Sequence, residues 1–306
     1  METDRKLILV TRHTRLHELK QKYGTLGQAK FYIEHLGESF EQYEVEDGLF
    51  HTVHKQVLSF LKASGRVQQL DRSYLPTYKF SRDDIVVVLG QDGLVANTLK
   101  YLTGQSVIAI NPSPQSFDGV LLPFTAGDLP LVLADVLAKK MNFKTITMAE
   151  ATTNLGDSLL AVNDLFVGPK SHTSARYDVE WNGKKESHSS SGVIISTGLG
   201  STGWFKSLIA GASGIAGRPV QKKIANGFEW DSEYLYYTVR EPFPSQQSQT
   251  DLVFGRVDQK KPLVLTSKMA ENGVIFSDGL ENDYLDFSAG VSATISVSKT
   301  QGVLVV

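Results

Sequence analysis

Residues 84–110 read DIVVVLGQDGLVANTLKYLTGQSVIAI, and the fold turns on this stretch. From Asp84 to Leu89 nearly every residue is apolar and β-branched, the pattern of a strand buried on both faces. The polar turn Gly90-Gln91-Asp92-Gly93 follows. Val95, Leu99 and Leu102 then fall on one helical face, with Gly104 as a C-terminal stop. Ser106–Ile110 is a second buried strand. Strand, turn, helix and strand in so short a run predict a βαβ unit of a parallel sheet.

The same alternation extends outward through the first half of the chain. Lys6–Thr11 (KLILVT) is a compact strand candidate, and Thr25–Leu36 a helical one. Leu49, Val53, Val57, Phe60 and Leu61 repeat at helical spacing until Gly65. Leu129, Leu133, Val136 and Leu137 form another amphipathic helix, with Asp128 as its N-cap and Pro130 in its first turn. After residue 142 the period changes. Tyr177–Trp181 and Glu186–Ser189 flank Asn182-Gly183, a strong hairpin signal. Short strand candidates follow at Gly192–Thr197, Tyr234–Val239, Leu252–Val257, Pro262–Ser267, Val274–Ser277, Ala293–Ser298 and Val303–Val306, interrupted by a short helix around Trp204–Ala210. The expectation is an α/β domain with a mostly parallel, Rossmann-like sheet over residues 1–142. A mostly antiparallel, all-β sandwich-like domain follows over residues 143–306, its C-terminal strands packing back toward the first.

Composition narrows the function classes. The 306 residues are 41% hydrophobic and 21% charged, ordinary for a soluble globular chain. A net charge of −2 carries no electrostatic footprint for nucleic acid. With no cysteine, disulfides, thiolate metal sites and thiol catalysis are excluded. Met1–Lys6 lacks the apolar core of a secretory signal, and no run approaches the ~20 apolar residues of a membrane helix. The expectation is a cytoplasmic protein with no membrane partner. His51 and His54 have no third ligand beside them, so no protein metal site is expected. The sequence holds neither a P-loop nor a G-x-S-x-G elbow.

Four short motifs can carry chemistry. Gly90–Gly93 lies where ligands bind in open α/β sheets, at the carboxyl end of a strand. The helix after it offers unpaired N–H groups to phosphate, and glycine allows close approach. Asp92 is placed there to orient and deprotonate an attacking hydroxyl; the same tetrapeptide also fits an ordinary polar turn. Gly192–Trp204 reads GVIISTGLGSTGW. Gly198, Gly200 and Gly203 spell a dinucleotide fingerprint, but no parallel βαβ unit follows, as that motif requires. The stretch reads instead as a polar loop whose hydroxyls at Ser196, Thr197, Ser201 and Thr202 hold a nucleotide against Trp204, or as a Gly/Ser turn in a β-domain. Asn163-Asp164 interrupts the apolar run Leu159–Gly168, implying a ligand, a specific bond, or a strand end. Asp278-Gly279 follows a strand as a turn would. Arg12, His13 and Arg15 after the first strand either face phosphate or are solvated.

In this order the motifs resemble the NAD kinase family: a Gly-Gly-Asp-Gly turn, an Asn-Glu or Asn-Asp pair, a Ser-Thr-x-x-Gly-Ser-Thr loop and a late Asp-Gly. The resemblance spans roughly residues 6 to 300. Thr11–Leu16, Asn111–Pro123 and Val239–Pro244 look like the divergent mitochondrial-type branch and its bacterial relatives. It implies a kinase that phosphorylates the 2′-hydroxyl of the adenosine ribose of NAD to give NADP, using ATP with Mg²⁺, or polyphosphate, as a homodimer or homotetramer. The first domain would handle the nucleotide and the second would bind NAD. Asp92 would be the catalytic base, and Gly90 and Gly93 would approach phosphates. Asn111, Asn163, Asp164, Ser201, Thr202, Gly203 and Trp204 would bind the nucleotides. Gln91 stands where the family has glycine, Leu94 where it has threonine, Ser191 where it has aspartate and Trp204 where it has tyrosine. The alternatives are a non-catalytic NAD-binding protein of the same fold and a related kinase acting on a lipid or sugar hydroxyl.

Overall fold

The computed structural model describes residues 3–116 and 118–306. The chain forms two compact units, Met1–Lys144 with Val303–Val306, and Thr145–Gly302. The first unit runs β1 (Thr3–Thr11), α1 (Arg15–Tyr23), α2 (Leu26–His35), α3 (Glu41–Ser64), β2 (Gly65–Asp71), β3 (Ile85–Leu89), α4 (Asp92–Leu99), β4 (Ser106–Ile110) and α5 (Leu129–Leu137). Its strands lie in the order β2-β1-β3-β4, all parallel, and Val303 and Leu304 add parallel pairing beside β4.

All of β3 is buried. On one face Val87 and Ile108 pack with Val57 and Leu61 of α3 and Leu133 of α5. Helix α4 is buried along its length from Leu94 to Leu99, not only on the face marked by Val95 and Leu99. A sheet covered this way has no solvent face, so its strands carry no polar alternation.

Several sequence expectations shift in detail. Helix α3 begins well before Leu49, and Gly65 opens β2 directly. Strand β2 escaped the pattern because Arg66, Gln68 and Gln69 leave it largely polar, as an edge strand can be. Helix α4 ends at Leu99, and Gly104, with φ +107°, belongs to the turn before β4. Asp128 is the N-cap residue of α5, as expected, but its side chain makes no cap hydrogen bond to the helix. Its carboxylate accepts from the Thr125 N–H (2.8 Å) and hydroxyl (2.7 Å), which hold its pKa below the ordinary carboxylate value.

The second unit holds most of β5 (Phe143–Thr153), then β6 (Ser158–Ala161), β7 (Asp164–Pro169), β8 (Ala175–Trp181), β9 (Lys184–Ser190), β10 (Val193–Ser196), α6 (Trp204–Ala216), β11 (Leu235–Val239), β12 (Phe254–Val257), β13 (Leu263–Ser267), β14 (Gly273–Ser277), β15 (Leu280–Asp286) and most of β16 (Ser292–Val305). One antiparallel sheet has the order β12-β11-β10-β7-β14-β15. The other carries β16-β13-β8-β9, also antiparallel, with β5 pairing β16 and β6. Val167, Ile195 and Tyr237 from the first sheet meet Tyr177, Leu265 and Ile295 from the second in one core, as in a sandwich. The β8–β9 hairpin turns on Asn182 (φ +53°) and Gly183 (φ +74°), the paired positive angles that Asn-Gly supplies.

Two further readings are corrected here. The candidates Ala293–Ser298 and Val303–Val306 are one strand, β16. Helix α6 runs on to Ala216 and ends at the left-handed Gly217. Leu159–Gly168 is two strands, with Val162 and Asn163 at the bend between them, in keeping with the strand end among the alternatives. The architecture is thus an α/β unit with a parallel sheet followed by an antiparallel β unit. Among the described residues no helix is long and apolar enough to cross a membrane.

Leu61 is fully buried in α3 and Val45 of the same helix is 62% exposed. Leu61→Ala is expected to cost about 2–5 kcal/mol in urea unfolding, while Val45→Ala shifts the midpoint little.

Candidate functional site

In the first unit the candidate residues gather at the carboxyl ends of β3 and β4. Asp92 is the first residue of α4, so its charge sits at the positive end of the helix. Both carboxylate oxygens accept backbone N–H groups from the loop after β4, Leu121 at 2.8 Å and Val120 at 3.2 Å. The side chain is thereby fixed, and a carboxylate's further lone pairs leave room for one more donor.

Gly90 and Gly93 differ in what they allow. A Cβ at Gly90 would lie 2.8 Å from Leu94 Cδ2, a side-chain tip that would have to shift to admit it. A Cβ at Gly93 would meet nothing within 4 Å, leaving its backbone open to a ligand. Gln91 turns aside, its amide oxygen accepting from Arg12 Nη1 at 3.4 Å. Both line a small hollow that includes Thr14, Phe50 and Ser113. Asn111 is buried at the end of β4, where its carboxamide oxygen accepts the Ser113 N–H at 2.9 Å.

In the second unit three motifs far apart in sequence are tied around one bend. The Asp278 carboxylate accepts from the N–H groups of Asn163 (2.6 Å), Val162 (3.0 Å) and Asp164 (3.3 Å). On the other side the Thr197 hydroxyl donates to the Val162 carbonyl at 2.6 Å. A Cβ on Gly200 would fall 2.1 Å from the Asn163 carbonyl oxygen, so the loop reaches the bend only because residue 200 is glycine. Ser201 is fully buried. Its hydroxyl donates to the Gly198 carbonyl and accepts the Phe228 N–H, which shapes the loop. Ser201 thus braces the loop from within. Thr202, Gly203 and Trp204 remain exposed.

Beside this bend lies a cleft of about 260 Å³, lined by Asp164, Phe166, Lys170, Trp204, Arg240 and Phe276, with Asp278 and Gly279. Burial, with a smaller contribution from the charge of Asp278, pushes the Asp164 carboxyl up to about 7. The cleft thus brings together three of the sequence motifs. Phe166, Lys170, Arg240 and Phe276 were not singled out from sequence. Phe166 and Phe276 are register partners on β7 and β14, a relation set by strand pairing. Among the described residues no group of three or more His, Asp or Glu side chains is placed to hold a metal ion.

No protein-family model and no curated protein sequence matches the chain. Solved structures match it in fold. An NAD kinase from Archaeoglobus fulgidus, in complex with ATP, aligns over 98% of this chain and 92% of its own, with a TM-score of 0.56 and 16% identity. Yeast NADH kinase complexed with NADH aligns over 99% of this chain and 84% of its own, with a TM-score of 0.58 and 14% identity. At these identities the likeness is one of fold, and the chain has the fold of these kinases.

Asp164 gives the folded state a pH signature. In the unfolded chain it ionises near the ordinary 3.8, in the folded one at about 7. The folded state then binds more protons, so this group's effect on stability worsens as pH rises from about 4 to 7. Asp164→Asn is expected to raise the melting temperature by several degrees at pH 8 and to change it little near pH 4, measured by calorimetry.

Proposed function

We propose that the chain is an NAD(H) kinase: it transfers a phosphoryl group from ATP, or from polyphosphate, to the 2′-hydroxyl of the adenosine ribose of the dinucleotide. One observation carries the reading. Asp92 is presented at the tip of a buried parallel strand, locked by two backbone N–H groups, beside the open backbone of Gly93. The fold adds support, since two structures that share it were solved with ATP and with NADH. The segments Thr11–Leu16 and Val239–Pro244 favour the mitochondrial-type branch.

The chemistry asked of the chain is mostly placement and charge stabilisation. A bond forms between the 2′-oxygen and the γ-phosphorus while the bond from that phosphorus to the bridging oxygen breaks, and ADP leaves. The hydroxyl proton passes to the Asp92 carboxylate. The N–H groups at the start of α4, approached over Gly93, take phosphate oxygens. In the second unit Asn163, Asp164, Thr202 and Trp204 hold the dinucleotide. Mg²⁺ enters as part of the nucleotide substrate.

A second reading, a non-catalytic dinucleotide-binding protein, is favoured by Gln91, whose side chain stands at the turn and is tied to Arg12. Purified protein incubated with NAD, ATP and Mg²⁺ and assayed for NADP separates the two. The kinase is expected to form NADP, and Asp92→Asn to lower kcat by about 10²–10⁴-fold with NAD affinity retained. Wild-type protein that binds NAD and forms no NADP establishes the second reading instead. Phosphorylation of a lipid or sugar hydroxyl in preference to NAD overturns the choice of substrate.

A further inference from the structure

The cleft of the second unit has an aromatic floor with a cation at each end. Phe276 stacks on Phe166 (centroids 6.1 Å, planes 16° apart), and Phe166 stacks on Trp204 (5.9 Å, 18°). Phe166 can lie there because its ring covers Gly168 and Gly192, where any Cβ would come within 2.6 Å of it. Beyond Trp204 the Arg240 guanidinium lies 5.5 Å from the indole ring. Beyond Phe276, Tyr284 packs edge-on, and Lys170 Nζ sits 3.4 Å from the Tyr284 centroid.

Arg240 is held in place by its backbone. Its N–H donates to the Gly192 carbonyl at 2.8 Å and its carbonyl accepts the Ser191 N–H at 2.9 Å. Glu241 next to it adopts φ +40°, a left-handed conformation costly for a residue with a Cβ, and turns the chain away. Among the described residues the ion-pair partner of Arg240 is Glu241 alone, at 3.7 Å and 64% exposed, a weak contact that leaves most of the guanidinium donors unused. Of the acidic groups in the cleft, Asp278 is engaged by backbone N–H groups at the bend, and burial, with the charge of Asp278, raises the pKa of Asp164.

We propose that Arg240 is a substrate-positioning residue that binds a phosphate of the dinucleotide's pyrophosphate bridge while the Trp204–Phe166 surface takes a planar ring, with Lys170 as a second point charge. A guanidinium suits this task because it grips two phosphate oxygens at once, and an ammonium does not. The assignment rests on the proposed dinucleotide substrate and adds the group that reads its anionic part.

Binding without ATP tests it apart from turnover. Wild-type protein, R240A, R240K and K170A are titrated with adenosine, nicotinamide riboside, ADP-ribose and NAD, followed by tryptophan fluorescence and calorimetry. R240A is expected to weaken ADP-ribose and NAD by about 10–100-fold, leaving nucleoside binding as in wild type. R240K recovers part of the loss, and K170A has a smaller effect. In turnover R240A raises KM for NAD with kcat nearly unchanged. R240A that binds NAD as wild type does, or that weakens nucleosides and NAD equally, overturns the assignment. Wild-type protein that binds NAD through Arg240 and forms no NADP supports it and removes the phosphotransfer reading alone.

Discussion

A carboxylate partly withdrawn from water needs donors, and both units supply them from the backbone of a segment distant in sequence. Asp92 receives N–H groups from Val120 and Leu121, and Asp278 receives them from Val162, Asn163 and Asp164. In the second unit this clamp sets the bend after β6, and the bend sets where Asp164 enters β7. Asp164 is then held in a setting poor in water and, to a smaller effect, near the charge of Asp278, which accounts for its raised pKa.

The loop at 196–204 divides its polar groups between two tasks. The Thr197 and Ser201 hydroxyls turn inward and hold the loop to Val162 and to Phe228. What remains outward is the edge from Thr202 to Trp204, where α6 begins. A loop so braced presents one aromatic side chain in a fixed place, and Trp204 can then extend the ring row that β7 and β14 supply. Rigid aromatic surface with a few fixed polar groups is the usual make-up of a small-molecule site.

The parts legible in the sequence were those governed by neighbours along the chain. The run Ile85–Leu89 followed by Gly-x-Asp-Gly announces a strand and turn because burial and glycine act locally. Asn182-Gly183 announces a hairpin because both residues accept positive φ. Strand β2 was hidden, since an edge strand with Arg66, Gln68 and Gln69 carries no apolar signature. The interruption at Asn163-Asp164 was visible, but its link to Asp278, more than a hundred positions away, was not. The polar motifs of the cleft were visible as motifs. Its aromatic floor was not, because Phe166 and Phe276 become neighbours only through the register of β7 against β14. The internal bonds of Ser201 were hidden for a related reason: a hydroxyl in a glycine-rich loop looks the same in sequence whether it faces outward or braces Phe228.

Strand β16 serves both units, since its stretch around Ile295 pairs with β13 and its final residues lie beside β4. Translation proceeds from the amino terminus, so a ribosome delivers β1 to β4 long before Val303 and Leu304 emerge. A chain broken off before residue 303 lacks the partners of Ser106 and Val107, while Ile110 at the other end of β4 keeps its bridge to Phe124.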